Sequence, residues 1–473
     1  MISSFDLTLG APIICITASI MLVILFEAFV GMKGAFAYGL GILGLLATML
    51  LAGLGFTNPG VAFFSMISIN PFSAFIAVLI TVCGIMTMLY ARPYLHDTGQ
   101  HRGEFYILVL FAIAGMMLIG YANDLMIVFL GIELMSVSLY VLAGFFRLDK
   151  RSNESALKYF LLGAFSTGFL LYGIALLFGT TGTTNLQVIS QTAAGVSNQP
   201  MFLLGVAMLM VGFGFKVAAV PFHMWAPDVY EGAPTPVTGL MASGAKAAAF
   251  AGFATVFIGS LDIGGSIISE GLAYLSVFSM VLGNIVALSQ SNLKRLLAYS
   301  SVAHAGYMLA GIASGSVEGL HGVGLYLAAY AVTTLGAFGV VAWMETVLKE
   351  GVTVEALAGL SKRQPAVAAM LAVFMFSLTG IPPFAGFVGK YYVFMAAVRA
   401  DLVWVAVIGV LTSAVGAYYY LGIVVQMYFK EGKEDSRPLP AVPAMVALVL
   451  SVVLIILIGV YPASVLNLLS MAM

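Results

Sequence analysis

Charge is what this sequence has least of. Of its 473 residues only 8% are Asp, Glu, Lys or Arg, against about 25% in soluble domains. Hydrophobic residues make up 62%, and no polar stretch is long enough to form a soluble domain, so the chain reads as a membrane protein. Cysteine is nearly absent too. Cys15 and Cys83 stand apart in apolar runs, where a thiol behaves as a small hydrophobe. Two isolated thiols do not hold an iron–sulfur cluster, and no glycine-rich nucleotide fingerprint follows a strand-like segment. No cofactor or metal site is therefore expected in this chain. A net charge of −1 offers no basic face, so nucleic acid is not an expected partner. The start, MISSFDLTLGAPIICITASI, lacks a basic n-region and an A-x-A cleavage site, and its first helix is expected to be retained.

Long apolar runs fill the chain instead. A spanning helix needs about 20 largely apolar residues, and by that rule fourteen spans are expected. The first seven lie near 11–30, 36–54, 71–91, 105–122, 125–146, 156–178 and 201–220. The rest lie near 235–260, 271–290, 294–313, 320–344, 365–398, 402–428 and 440–470. Two are irregular. The seventh continues past Pro221 into a short half-helix, and the twelfth is interrupted at TGIPPFAGF, residues 379–387.

The basic residues test this count independently. With the first residue outside, inward-facing loops hold Lys33, Arg92, Arg102, Arg147, Lys150, Arg151, Lys158, Lys294 and Arg295. They also hold Lys349, Lys362, Arg363, Lys430, Lys433 and Arg437, and only Arg399 falls on an outward loop. The positive-inside rule predicts such a bias, which a miscounted helix would scramble. Both termini are expected on the outer side of the membrane.

Few ionisable groups remain at membrane depth. They are Glu133, Lys216, Lys246, His304 and Lys390. Glu27 and Glu104 sit near helix ends, where a side chain can reach the interface. His304, among small residues, is equally suited to satisfying a neighbouring carbonyl. The other four are too far from a span end to snorkel, and a charge at that depth costs about 2.5–3.5 kcal/mol even on the lenient insertion scale. A structural Glu–Lys bridge is one reading. Three lysines against one glutamate, however, leave two cations without a carboxylate. Burial disfavours the charged amine, which turns it into a group able to release and recover a proton. The residues thus describe a relay of one acid and several buried amines.

Proline placement supports the relay. Pro221 follows Lys216 by five residues, and Pro382-Pro383 precede Lys390. A proline inside a span frees a carbonyl that must find another partner. These hinges lie five helices apart, and Glu133 has a polar counterpart in His304 five helices later. An odd offset reverses orientation, so two inverted five-helix repeats are expected, with an ion path at their interface. The expected division is a three-helix segment over 1–100, repeats over 101–262 and 263–430, and a C-terminal helix over 431–473.

The run KVAAVPFHMWAPDVYEGAPTPVTGLMASGAKAAAF (216–250) resembles the signature of the antiporter-like subunits of proton-pumping NADH:quinone oxidoreductase, respiratory complex I. Further matches are ELMSVSLYVLAGFFR (133–147), ESALKYFLLGAFSTGFLLYG (154–173), NLKRLLAYSSVAHAGYMLAG (292–311) and FMFSLTGIPPFAGFVGKYYVF (374–394). The resemblance covers nearly the whole chain. Lys390 stands where subunit M of that group is expected to carry glutamate, and the long lateral helix that extends subunit L is not expected here. The resemblance implies an all-α polytopic fold and a role in proton translocation. Glu133 and Lys216 match the family's glutamate–lysine pair, Lys246 its central lysine, His304 its polar linker and Lys390 its terminal lysine. It implies partners among the membrane-arm subunits, with NADH, quinone, flavin and iron–sulfur clusters held by other subunits, and residence in a bacterial inner membrane. The alternative with the same fold and relay is a subunit of a multisubunit cation/proton antiporter.

Overall fold

The computed structural model describes residues 3–30, 34–261, 266–348, 351–432 and 438–470. Lys33, Lys349, Lys433 and Arg437 of the basic loops lie outside the described residues, as does the expected division between repeats at 262/263.

Helices account for nearly all of it. A capped turn, α1 (Ser4–Leu9), leads into α2 (Ala11–Val30) and α3 (Ala35–Gly53). Then come α4 (Pro71–Asp97), α5 (Gly103–Tyr121), α6 (Leu125–Ala143) and α7 (Lys150–Thr181), followed by a short α8 (Leu186–Val196). The seventh span is α9 (Pro200–Val217) with its half-helix α10 (Trp225–Gly232). The eighth is α11 (Thr235–Leu240) and α12 (Lys246–Phe257), joined by a π-helical turn at Met241–Ala245. Next are α13 (Ile267–Ala287), α14 (Leu293–Ala313), α15 (Val317–Leu348) and the single turn α16 (Leu360–Arg363). The twelfth span is split into α17 (Pro365–Thr379) and α18 (Ala385–Arg399), and α19 (Val403–Phe429), α20 (Val442–Val460) and α21 (Ala463–Ser470) complete the chain. All fourteen expected spans are present.

The structure adds three features to that reading. A small antiparallel hairpin, β1 (Gly60–Ala62) with β2 (Ile67–Ile69), lies between α3 and α4. Its turn is pinned by polar contacts: Phe63 N–H donates to Asp6 Oδ1 at 2.8 Å, and Asn123 and Asn185 both donate to the Ser65 carbonyl. The last span ends at Val460 rather than running to 470. Pro462 cannot donate a backbone hydrogen bond, and Tyr461 leaves the helical region at φ −129°, ψ 66°. Finally, the eighth span is locally widened immediately before Lys246 by the π turn, a form frequent at functional sites.

Packing sorts the helices into a centre and a rim. The apolar lengths of α15, α14 and α11–α12 are almost wholly enclosed by protein. By contrast α2, α3, α7, α19 and α20 expose many large apolar side chains, as lipid-facing helices do. Close pairs of helices, α5 with α6 and α13 with α14, bring glycines against neighbouring backbone. A Cβ on Gly115 would collide with the backbone nitrogen of Met135, and one on Gly283 would meet Ala303 N at 2.5 Å. Small residues that let backbones approach are the normal glue between membrane helices. The enclosed centre carries Lys246 and His304.

Candidate functional site

Each helix break is closed by a different set of donors. At the first, Ala218 adopts the left-handed conformation (φ 58°), and α9 stops at Val217. The N–H of Ala219 turns back to Gly214 O at 2.8 Å, and that of Ala218 to Phe215 O at 3.1 Å. The Trp225 indole, from the start of α10, also donates to Phe215 O at 3.0 Å. Val220 N–H, left without a helical acceptor, donates to Ser279 Oγ on α13 at 2.9 Å. At the second break Gly380 (φ 87°) ends α17, and its N–H returns to Phe376 O and Ser377 O. There the carbonyls of Leu378 and Thr379 accept from the side chain of Lys390, at 3.0 and 2.9 Å.

The three deep lysines are buried, with 7% (Lys216), 2% (Lys246) and 7% (Lys390) of their surface exposed. None makes an ion pair within 4 Å among the described residues. Lys216 Nζ donates to Ser136 Oγ at 2.8 Å and reaches the Tyr140 hydroxyl at 3.4 Å. Glu133 lies one turn before Ser136 on α6, near enough to act on Lys216 through its charge, yet its buried Oε1 accepts no hydrogen bond among the described residues. Glutamate and lysine are neighbours held apart.

Lys246 Nζ donates to Ser301 O at 2.7 Å and to Ser301 Oγ at 2.5 Å, with the Tyr330 ring 5.8 Å away. Lys390 Nζ donates to Ser413 Oγ at 2.7 Å as well as to its two carbonyls, and lies 5.0 Å from the centre of the Tyr307 ring. His304, 3% exposed, lies within electrostatic reach of both lysines. It does not bond a carbonyl. Nδ1 is 2.7 Å from the Tyr326 hydroxyl, and Nε2 is 3.0 Å from that of Tyr420. Tyr420 in turn pairs with the hydroxyl of Ser300, the neighbour of Ser301. Asn284 links the Tyr307 and Tyr419 hydroxyls at 2.9 and 3.0 Å. Between His304 and the second break lies a small cavity lined by Tyr330, Thr333, Ser377 and Leu378, ≈ 10 Å³, about the space of one water centre.

The structure therefore gathers Lys246, His304 and Lys390 around a cluster of hydroxyls and keeps Glu133 with Lys216. Among the described residues no hydrogen bond joins the two groups. Ser300, Ser301, Tyr307, Tyr326, Tyr330 and Tyr420 were not expected from the sequence. Of the helix-end acids, Glu104 is exposed, but Glu27 packs against the start of α5, where a Cβ on Gly103 would collide with its carboxylate. Lys294, read as a loop residue, is buried and lies 3.4 Å from Glu345 Oε1.

A family model described as "NADH:quinone oxidoreductase/Mrp antiporter, TM" matches residues 122–416, which contain Glu133, Lys216, Lys246, His304 and Lys390. The chain belongs to that family. Within it, curated relatives named NADH-quinone oxidoreductase subunit N are 48% identical over 84% of this chain and 79% of theirs (Salinibacter ruber), and 43% identical over 91% and 89% (Trichlorobacter lovleyi). Among solved structures, a chain of respiratory complex I from Thermus thermophilus with bound aureothin superposes with a TM-score of 0.84 at 35% identity, covering 98% of this chain and 100% of that one. A chain of the Mrp complex from Dietzia sp. matches at TM-score 0.87 but 20% identity, with 98% and 96% covered, and shares the fold. The subunit N relatives thus match in sequence over most of the chain, whereas the likeness to the Mrp complex chain is one of fold alone.

Proposed function

We propose that protons cross this subunit along Glu133, Lys216, Lys246, His304 and Lys390, with Pro221, Pro382 and Pro383 as the hinges of its two broken helices. The chain is a proton-translocating membrane subunit of NADH:quinone oxidoreductase and works beside other membrane-arm subunits. NADH oxidation and quinone reduction belong to partner subunits, which hold the flavin and the iron–sulfur clusters. The subunit resides in a bacterial inner membrane. The basic loop residues Arg92, Arg147, Arg151, Lys158 and Arg295 all gather at one end of the bundle, and this end faces the cytoplasm. Both termini lie on the periplasmic side.

One observation carries the relay. Three lysines are buried and, among the described residues, have no carboxylate in contact and are hydrogen-bonded to hydroxyls and carbonyls alone. A structural lysine is paired, because an unpaired buried ammonium is costly. An amine that alternates between neutral and charged forms is suited to such surroundings. The divisions 101–262 and 263–430 then act as inverted repeats, one built on a carboxylate beside an amine and the other on His304 and hydroxyls. Water in the small cavity beside His304 completes the step towards Lys390.

Lys216 supplies the test. In the assembled complex, Lys216→Ala depresses NADH-driven pumping and coupled quinone reduction. Lys216→Arg does not restore them, since guanidinium keeps its proton throughout this range. Full pumping in an assembled Lys216→Arg complex refutes the relay.

A further inference from the structure

A cavity of ≈ 840 Å³ opens at the basic end of the bundle and has no part in the row described above. Tyr94, Asp149, Glu231, Asn292, Lys294 and Glu345 are among its lining residues. Its floor is a tight polar knot from four helices. Glu345 on α15 receives the Tyr94 hydroxyl from α4 at 3.1 Å and the Thr235 hydroxyl from α11 at 2.5 Å. Lys294 on α14 lies 3.4 Å from its other oxygen and donates to Ala233 O at 2.8 Å. The side chain of Glu345 is 15% exposed and that of Lys294 5%, so the carboxylate is the more open of the pair to the cavity. Around the mouth, Arg295 bonds Asp228 and Glu231, which fixes half-helix α10 beside the opening.

The same helix leads inward. Seven residues before Glu345, about two turns or 10 Å along one face, stands Phe338, buried against Tyr230 and α11. Four residues further, Thr334 is 4% exposed, and its buried hydroxyl lies near that of Tyr330 without a hydrogen bond of normal length among the described residues. One more turn reaches Tyr330, whose ring faces Lys246. Tyr230 and Tyr330 both lie beside Ser301, the hydrogen-bond partner of Lys246. Polar groups thus stand on both sides of a short apolar section, with the Thr334 and Tyr330 hydroxyls loosely paired on the inner side. A buried hydroxyl whose hydrogen bond is stretched is a place for a bridging water molecule.

We propose that this cavity is a water-filled vestibule in which Glu345 loads protons for Lys246, and that the Lys294–Glu345 contact is its gate. The proposal rests on the reading of Lys246 as a proton carrier. With the carboxylate ionised, Lys294 and the two hydroxyls hold the floor shut. A proton from vestibule water neutralises the carboxylate and removes the attraction that keeps Lys294 in place. Water then reaches past Phe338 to Thr334. The proton passes through it to the neutral amine of Lys246, which becomes the ammonium, and Glu345 returns to the carboxylate and closes the floor.

The test uses the whole complex in sealed vesicles. NADH oxidation by a small artificial acceptor serves to match assembly. Glu345→Gln keeps the hydrogen bonds of the floor but holds no transferable proton, and it lowers NADH-driven pumping about as far as Lys246→Ala does. Glu345→Asp, shorter but ionisable, recovers a substantial part. A merely structural carboxylate would show the reverse order. Independently, Thr334→Cys is probed with a water-soluble maleimide from the basic side and the labelled subunit isolated. It is protected with the floor intact and becomes reactive when Lys294→Met is added. Full pumping in Glu345→Gln, or a Thr334→Cys thiol equally protected in both backgrounds, overturns the gate. Full pumping in Lys246→Ala would instead overturn the relay on which it rests.

Discussion

The two helix breaks look alike in the sequence, a lysine close to an interrupting proline, yet they are held in opposite ways. At the first, Trp225, Ala218 and Ala219 satisfy the exposed carbonyls, and Lys216 spends its donors on the hydroxyls of Ser136 and Tyr140. At the second, Lys390 itself fills two carbonyls of the broken helix. The C-terminal end of α17 carries partial negative charge, which an ammonium offsets. One lysine is free of its break and the other is built into it. The first has a carboxylate within electrostatic reach, whereas the second has hydroxyls, a histidine and a water-sized cavity. The first half is therefore suited to switching and the second to conducting.

The largest effect expected from this contrast is at Lys390. Lys390→Ala leaves the Leu378 carbonyl without its donor and the Thr379 carbonyl with only a long bond from Ser413 Oγ at 3.4 Å, at about 1–3 kcal/mol for an orphaned group. It lowers both the thermal stability of the complex and pumping. Lys390→Arg keeps donors near the carbonyls and preserves assembly, but not pumping. At Lys216, the same Ala substitution leaves the thermal transition nearly unchanged. Equal stability losses at the two lysines would erase the distinction.

Trp225→Phe tests the other side of the contrast. It removes the indole donor from Phe215 O and destabilises the first break by about 1 kcal/mol, the net worth of a typical hydrogen bond. Pumping is reduced less than in Lys216→Ala, because no group of the relay is lost. Differential scanning calorimetry of the purified complex, set beside vesicle pumping, separates the two effects.

A smaller change is expected from Tyr420→Phe, which deletes one hydroxyl between Ser300 and His304. The shape of the site is kept and water can substitute, so pumping slows severalfold without loss of assembly. An unaltered rate in this variant would place the conducting path elsewhere than through His304 and Tyr420.

Much of this was legible in the sequence, and the reason is the solvent. Hydrocarbon makes charge and proline expensive in helices, so Lys216, Lys246, Lys390, Pro221 and Pro382-Pro383 stand out against an apolar background. Fourteen spans follow from the same contrast. The hydroxyl cluster was not legible, because tyrosine and serine are common in membrane helices and nothing along the chain says which of them face one another. Tyr420 and His304 are 116 residues apart and meet only through the packing of α14 against α19. Lys294 and Glu345 were hidden for another reason: both lie near span ends, where a charge normally snorkels, and only the fold turns them inward onto each other. The π turn before Lys246 has no marker in its sequence, MASGA.

Whether Glu133 and Lys216 act as one switch is the most direct test of the account. They are close but not bonded, so the switch consists in the carboxylate approaching or leaving the ammonium. The measurement is a double-mutant cycle of Glu133→Gln and Lys216→Ala, read as NADH-driven pumping in sealed vesicles at matched assembly. The account predicts strong non-additivity, with the double mutant about as impaired as the worse single mutant, because either change alone disables the pair. Losses that simply multiply would mean that the two residues act independently, and would contradict it.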